Sequence, residues 1–212
     1  MRQRLRLRYR KDQVLMYVGH RDLLRFVIRL LRRAEIPFAT SGKYSPKPRL
    51  TFGPALPLGV LADNELLDIE LREELDWGGQ EVQDAAVRLA KASQPRDFVV
   101  ALAALPPAAL PVSKLVNAAR YRLEYNEPAD GVMTALDSAD LTAQTAAGKQ
   151  QDLRTALLDC SCAGRILTLD GAASGQLNLN IVRLADRLAE LTGCQPALIA
   201  RECLLDHSGR PI

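Results

Sequence analysis

The sequence predicts an α+β protein built from two similar halves with antiparallel sheets. Three observations predict it: short runs with a polar and apolar period of two, longer runs with a period near 3.6, and their order of strand, helix, strand, strand, helix, strand, met twice. Residues 1–105 make the first half and 119–212 the second. Residues 106–118, punctuated by Pro106, Pro107 and Pro111, join them.

Arg2, Arg4, Arg6, Arg8 and Arg10 alternate with Gln3, Leu5, Leu7 and Tyr9, which predicts a half-buried first strand with five arginines on one face. A turn near 11–13 leads to a helix over 20–35. Leu23, Leu24, Val27, Ile28, Leu30, Leu31 and Ala34 form its apolar side, Arg21, Arg25, Arg29, Arg32 and Arg33 its basic side, and Pro37 limits its end. Residues 40–49 read as a Gly- and Pro-bearing loop, followed by Leu50-Thr51-Phe52. A strand over 66–71, a helix over 80–92 and a strand over 98–104 complete the first half.

In the second half the expected elements are a strand at 120–125, a helix near 131–138 and a strand near 141–145. A strand at 165–169, a helix over 177–191 and a strand over 197–205 follow. Residues 148–162 leave room for a further element, and Cys160-Ser161-Cys162 reads as a strand with two small apolar residues on one face. The repeated order is the split βαβ pattern, so the expected fold is two tandem ferredoxin-like halves.

At 212 residues, 48% hydrophobic and 25% charged, the chain can bury a sizeable core, which excludes a disordered polymer and a disulfide mini-protein. No apolar run approaches the roughly 18 residues of a membrane span, so no membrane partner is expected. The first six residues lack a signal-like apolar stretch, so the expected location is cytoplasmic. Cys160, Cys162, Cys194 and Cys203 have neither CxxC nor zinc-finger spacing and read as reduced thiols; no metal or cofactor is expected.

Charge is unevenly placed. Residues 1–50 carry 14 Lys and Arg against three acids, a net of +11, whereas residues 51–212 carry 14 against 22, a net of −8. A basic segment of this kind suits a polyanion or an acidic protein partner. Asp68 and Glu70 alternate with Leu67, Ile69 and Leu71 on a neighbouring strand and offer an internal alternative for the arginines.

The candidate nucleic-acid contacts are Arg2, Arg4, Arg6 and Arg8 on the strand, and Arg21, Arg25 and Arg29 on the helix. Lys43, Tyr44, Lys47 and Arg49 join them from the loop, where a ring sits among cations and prolines stiffen the chain. His20 begins the helix, with Asp22 in its first turn. A neutral imidazole there is suited to act as a general base in RNA cleavage, with Tyr44 and Lys47 orienting or stabilising charge.

Several words of the sequence resemble the bacterial radical SAM-linked protein family, an uncharacterised domain encoded beside or fused to cobalamin-binding-type radical SAM proteins. They are Val18-Gly19-His20-Arg21-Asp22-Leu23-Leu24-Arg25, Leu31-Arg32-Arg33-Ala34-Glu35-Ile36-Pro37 and Ser41 through Phe52. Ala55-Leu56-Pro57-Leu58-Gly59-Val60 and Leu66-Leu67-Asp68-Ile69-Glu70-Leu71 follow in the same order. Fainter likenesses lie at Asp152-Leu153-Arg154 and Ile199 through Leu205. Where the family reads Phe-Asn-Pro-His-Pro, this chain has Tyr44-Ser45-Pro46-Lys47-Pro48. The resemblance implies a radical SAM enzyme encoded nearby as partner and, through gene neighbourhood, RNA or the ribosome as target. The chain lacks C-x3-C-x2-C and is not itself such an enzyme.

The expected function is therefore that of a non-catalytic RNA-binding accessory protein of a radical SAM enzyme. One alternative is a metal-independent endoribonuclease of the CRISPR repeat-cleaving type using His20. Another is an interaction module whose basic face docks on an acidic partner enzyme. The oligomeric state is left open.

Overall fold

A computed structural model describes residues 3–42, 44, 46–72, 77–94, 97–144, 150–175 and 177–212, and in it the chain is a mixed α+β protein. Arg2, Lys43 and Thr145, singled out above, lie outside the described residues. The chain divides into two units, Met1–Leu58 with Asp63–Leu115, and Gly59–Ala62 with Val116–Ile212.

The first unit holds β1 (Arg4–Lys11), α1 (His20–Arg33), β2 (Thr40–Ser41), β3 (Lys47–Pro48), β4 (Leu50–Phe52), and β5 (Leu61–Glu70) from Asp63 onward. It continues with α2 (Gly79–Ser93), β6 (Val99–Leu105) and the short α3 (Val112–Leu115). Its main strands run in the order β4-β5-β1-β6. β1 pairs antiparallel with β6, from Arg4 opposite Leu105 to Tyr9 opposite Val99. β4 pairs antiparallel with β5, from Leu50 opposite Ile69 to Phe52 opposite Leu67.

The period of two in β1 sends Leu5, Leu7 and Tyr9 to the side where Leu67, Ile69 and Leu71 also lie. Leu23, Val27, Leu30 and Leu31 of α1 and Val82, Ala85 and Leu89 of α2 complete that core. Phe98 stacks on Tyr9 with centroids 4.9 Å apart and meets the edge of Phe26 at 5.0 Å. α1 stops at Arg33, two residues before the predicted end, because Glu35 takes a left-handed φ of 56° ahead of Pro37.

The second unit holds β7 (Ala118–Tyr125), α4 (Asp130–Ser138), β8 (Thr142–Gln144), β9 (Gln150–Asp152), β10 (Leu157–Ala163), β11 (Ile166–Ala172), α5 (Ile181–Thr192) and β12 (Pro196–Leu205). Its main order is β10-β11-β7-β12, with every neighbouring pair antiparallel. Tyr121, Leu123 and Tyr125 of β7, Leu167 and Leu169 of β11, and the buried sides of α4 and α5 form its core.

Two expectations need correction here. The strand beside β11 is β10, whereas the predicted strand near 141–145 contributes β8 to a separate hairpin with β9. Cys160 and Cys162 lie opposite Leu169 and Leu167, so the apolar side of β10 is made of small thiols that give little hydrophobic signal. The last helix begins at Ile181, not 177. Leu179 N–H is held by the Ala172 carbonyl, and the Asn180 side chain accepts from Arg183 N–H at 3.2 Å, capping the helix.

Candidate nucleic-acid interface

Arg4 and Arg6 of β1 turn inward to an acid. Asp68 of β5, 3% exposed, receives a two-pronged bond from Arg6, Nε to Oδ1 at 2.7 Å and Nη2 to Oδ2 at 2.9 Å. Arg4 lies 3.9 Å from the same carboxylate, and Val112 N–H donates to it at 2.8 Å. Arg4 also donates to the Ala109 carbonyl, and Arg6 to that of Leu110 at 2.9 Å. A buried carboxylate persists only when its lone pairs are met, and here cations and an amide meet them. The segment predicted as a linker is thereby strapped to unit 1 at residues 109–112. Arg8 is half-buried with a partner of its own, and Arg10 pairs with Asp97.

A parallel arrangement recurs in the second unit. Arg120 of β7 grips Asp170 of β11 through two bonds of 2.7 Å, which raises the arginine further above its ordinary pKa, the hydrogen bond contributing most.

The helix arginines behave differently. Arg21, Arg25, Arg29, Arg32 and Arg33 are all exposed, because the apolar residues of α1 occupy the opposite side at spacings of three and four. Arg25 pairs with Asp22 at 2.9 Å. Among the described residues the other four have no ion-pair partner. Asp22 in the first turn and Arg32 and Arg33 in the last both suit the helix dipole.

The loop forms the tip of a hairpin. Thr40 faces Pro48 and Ser41 faces Lys47, and the base is tied to β5 by Ala39 N–H to the Glu70 carbonyl at 2.7 Å and Glu70 N–H to the Arg49 carbonyl at 3.1 Å. Arg49 pairs with Glu70 at 3.2 Å. At the tip Tyr44 is 93% exposed, and Lys47 is exposed as well.

His20 is exposed and meets Phe52 edge to face, centroids 5.1 Å apart. It stands at the mouth of a crevice lined also by Tyr9, Lys11, Phe52, Pro54 and Glu65; Tyr44 and Lys47 do not line it. Lys11 and Glu65 escaped the sequence reading. Lys11 extends the alternation of β1 to a buried place, and Glu65 sits in a polar run, Asp63-Asn64-Glu65, that carries no strand signal although β5 includes it.

Cys160 and Cys162 titrate above the ordinary thiol range, chiefly through burial, which makes them poor nucleophiles. All four cysteines are free. Among the described residues no cluster of His, Cys, Asp and Glu is arranged to hold a metal, and no helix is long and apolar enough to cross a membrane.

A family model described as an uncharacterised protein conserved in bacteria (DUF2344) matches residues 4–192. Comparison with curated proteins returned no match.

Proposed function

The chain belongs to the bacterial DUF2344 family, and we propose that it is a non-catalytic RNA-binding accessory protein, working in the cytoplasm with a radical SAM enzyme that modifies RNA or the ribosome. The observation that carries the RNA-binding reading is the outward side of α1, where Arg21, Arg29, Arg32 and Arg33 are exposed and lack ion-pair partners among the described residues. Free guanidinium groups at helical spacing suit a phosphate backbone. Tyr44 at the hairpin tip and Lys47 on β3 beside it add a stacking surface and a further charge. Arg4 and Arg6 contribute to this reading only indirectly, since Asp68 and the 109–112 carbonyls occupy them.

The enzyme partnership rests on the likeness of the sequence words between residues 18 and 71 to the radical SAM-linked family. The nuclease alternative has less support, because Tyr44 and Lys47 do not line the crevice at His20. We also read each unit as ferredoxin-like. The orders β4-β5-β1-β6 and β10-β11-β7-β12, each with helices after its first and third strands, support that reading.

The first test is isolation from the native host at low salt, with the 260/280 nm absorbance ratio measured and any retained nucleic acid sequenced. Discrete RNA species are expected. Protein that emerges clean and also fails to bind added host RNA overturns the reading and turns attention to an acidic protein partner. Binding to single-stranded RNA through the four free arginines should follow salt with a log–log slope of about −3.

A further inference from the structure

The crevice at the start of α1 combines features that packing alone does not require. Lys11 and Glu65 line it, and each is only 3% exposed. Lysine and glutamate are seldom buried so deeply, and enclosing opposite charges adds little net stability once their desolvation is counted. Each already has an interaction within the fold. An ammonium with three N–H donors and a carboxylate with several lone pairs can each take more than one hydrogen bond at once.

The size of the crevice restricts that partner. Its cavity volume is about 20 Å³, room for one water-sized group and far too little for a nucleobase. A phosphate oxygen only accepts hydrogen bonds, so it would suit Lys11 but repel Glu65. A hydroxyl both donates and accepts, and satisfies the two together. Phe52 and His20 stand at the same crevice and offer ring surface to a flat group just outside it. Arg21, the first free arginine of α1, directly follows His20.

We infer that the crevice receives the ribose 2′-hydroxyl of one nucleotide, Lys11 donating to it and Glu65 accepting from it, while the base rests against Phe52 and His20. This assignment rests on the RNA-binding reading above and adds what that reading lacks, a means of telling RNA from DNA. The 2′-hydroxyl is the group that distinguishes them.

The test uses the full chain and fluorescent single strands of one mixed sequence, about eight nucleotides long, within the usual span of single-strand sites. RNA, DNA and 2′-O-methyl forms are compared by anisotropy at one salt concentration. RNA is expected to bind about tenfold more tightly than DNA, equivalent to about 1.4 kcal/mol, and the bulkier methylated form no better than DNA. Glu65→Gln and Lys11→Met should bring RNA affinity down toward that of DNA, with circular dichroism reporting whether each variant folds. A single deoxynucleotide moved along the RNA should reproduce the whole loss at one position with the unaltered protein, which keeps the test valid if a variant does not fold.

Equal affinity for RNA and DNA overturns the inference and leaves the basic face of α1 standing. A gap that persists in folded variants, or a loss spread evenly over all positions, also overturns it. Failure to bind either strand overturns the RNA-binding reading itself.

Discussion

Asp68 organises more of unit 1 than its single charge suggests. It gathers Arg6, Arg4 and the Val112 amide, so its removal leaves the Val112 N–H without its acceptor and the two cations facing only backbone carbonyls. Asp68→Ala should cost about 3 kcal/mol, the usual order for breaking a buried pair from one side, seen as a lower urea midpoint. Tyr125 presents the opposite case: its buried hydroxyl has no hydrogen-bond partner among the described residues. Burial, with smaller contributions from Cys194 and Cys162, pushes its pKa up from 10.0 to about 12. Because the folded value is raised, the neutral phenol's contribution is complete below about pH 10 and is lost as pH climbs through about 12. Tyr125→Phe should therefore be at least as stable at neutral pH and lose less between those limits, as thermal melts across the alkaline range would reveal.

At the scale of elements, α1 divides its work between two sides. Leu23, Val27, Leu30 and Leu31 bury against the sheet, and the arginines remain in water. Arg29→Ala and Arg32→Ala should leave the melting temperature nearly unchanged, while each makes the salt slope of RNA binding shallower by about 0.7. Unchanged slopes would remove α1 from the interface. β11 supplies a packing test. A Cβ placed on Gly171 would come within 2.3 Å of Leu179 Cδ2 and 2.8 Å of its Cβ, too close for the tip of that side chain alone to yield. Gly171→Ala should cost about 1–3 kcal/mol through overpacking, measured by chemical denaturation.

Across the whole molecule, the net +11 of residues 1–50 and −8 of the remainder concentrates the candidate interface in unit 1. Reversing Arg21, Arg29 and Arg33 to Glu together should abolish RNA binding by the intact chain. Reversing the exposed Arg165 and Arg210 in the second unit should have little effect on it. Comparable losses from both sets would mean that RNA is held by general charge rather than by the helix.

The order of elements and the two sides of α1 were legible in the sequence, because period and capping residues act within a few positions along the chain. β10 was legible only around Cys160 and Cys162, since the register shift between Leu157 and Asp159 breaks its alternation. The crevice was not legible as a site: Lys11 and Glu65 stand 54 positions apart, and although Lys11 continues the alternation of β1, Glu65 carries no local sign of burial. The sequence by itself determined where the strands and helices form and that positive charge gathers near one end. Only the tertiary structure decided which arginines remain available. Arg6 finds Asp68 62 residues away and Arg4 finds the Ala109 carbonyl 105 residues away, whereas among the described residues the helix arginines find no acid beyond Asp22. Local alternation fixes the side on which a charge emerges, but its neutralisation depends on groups that folding brings opposite it.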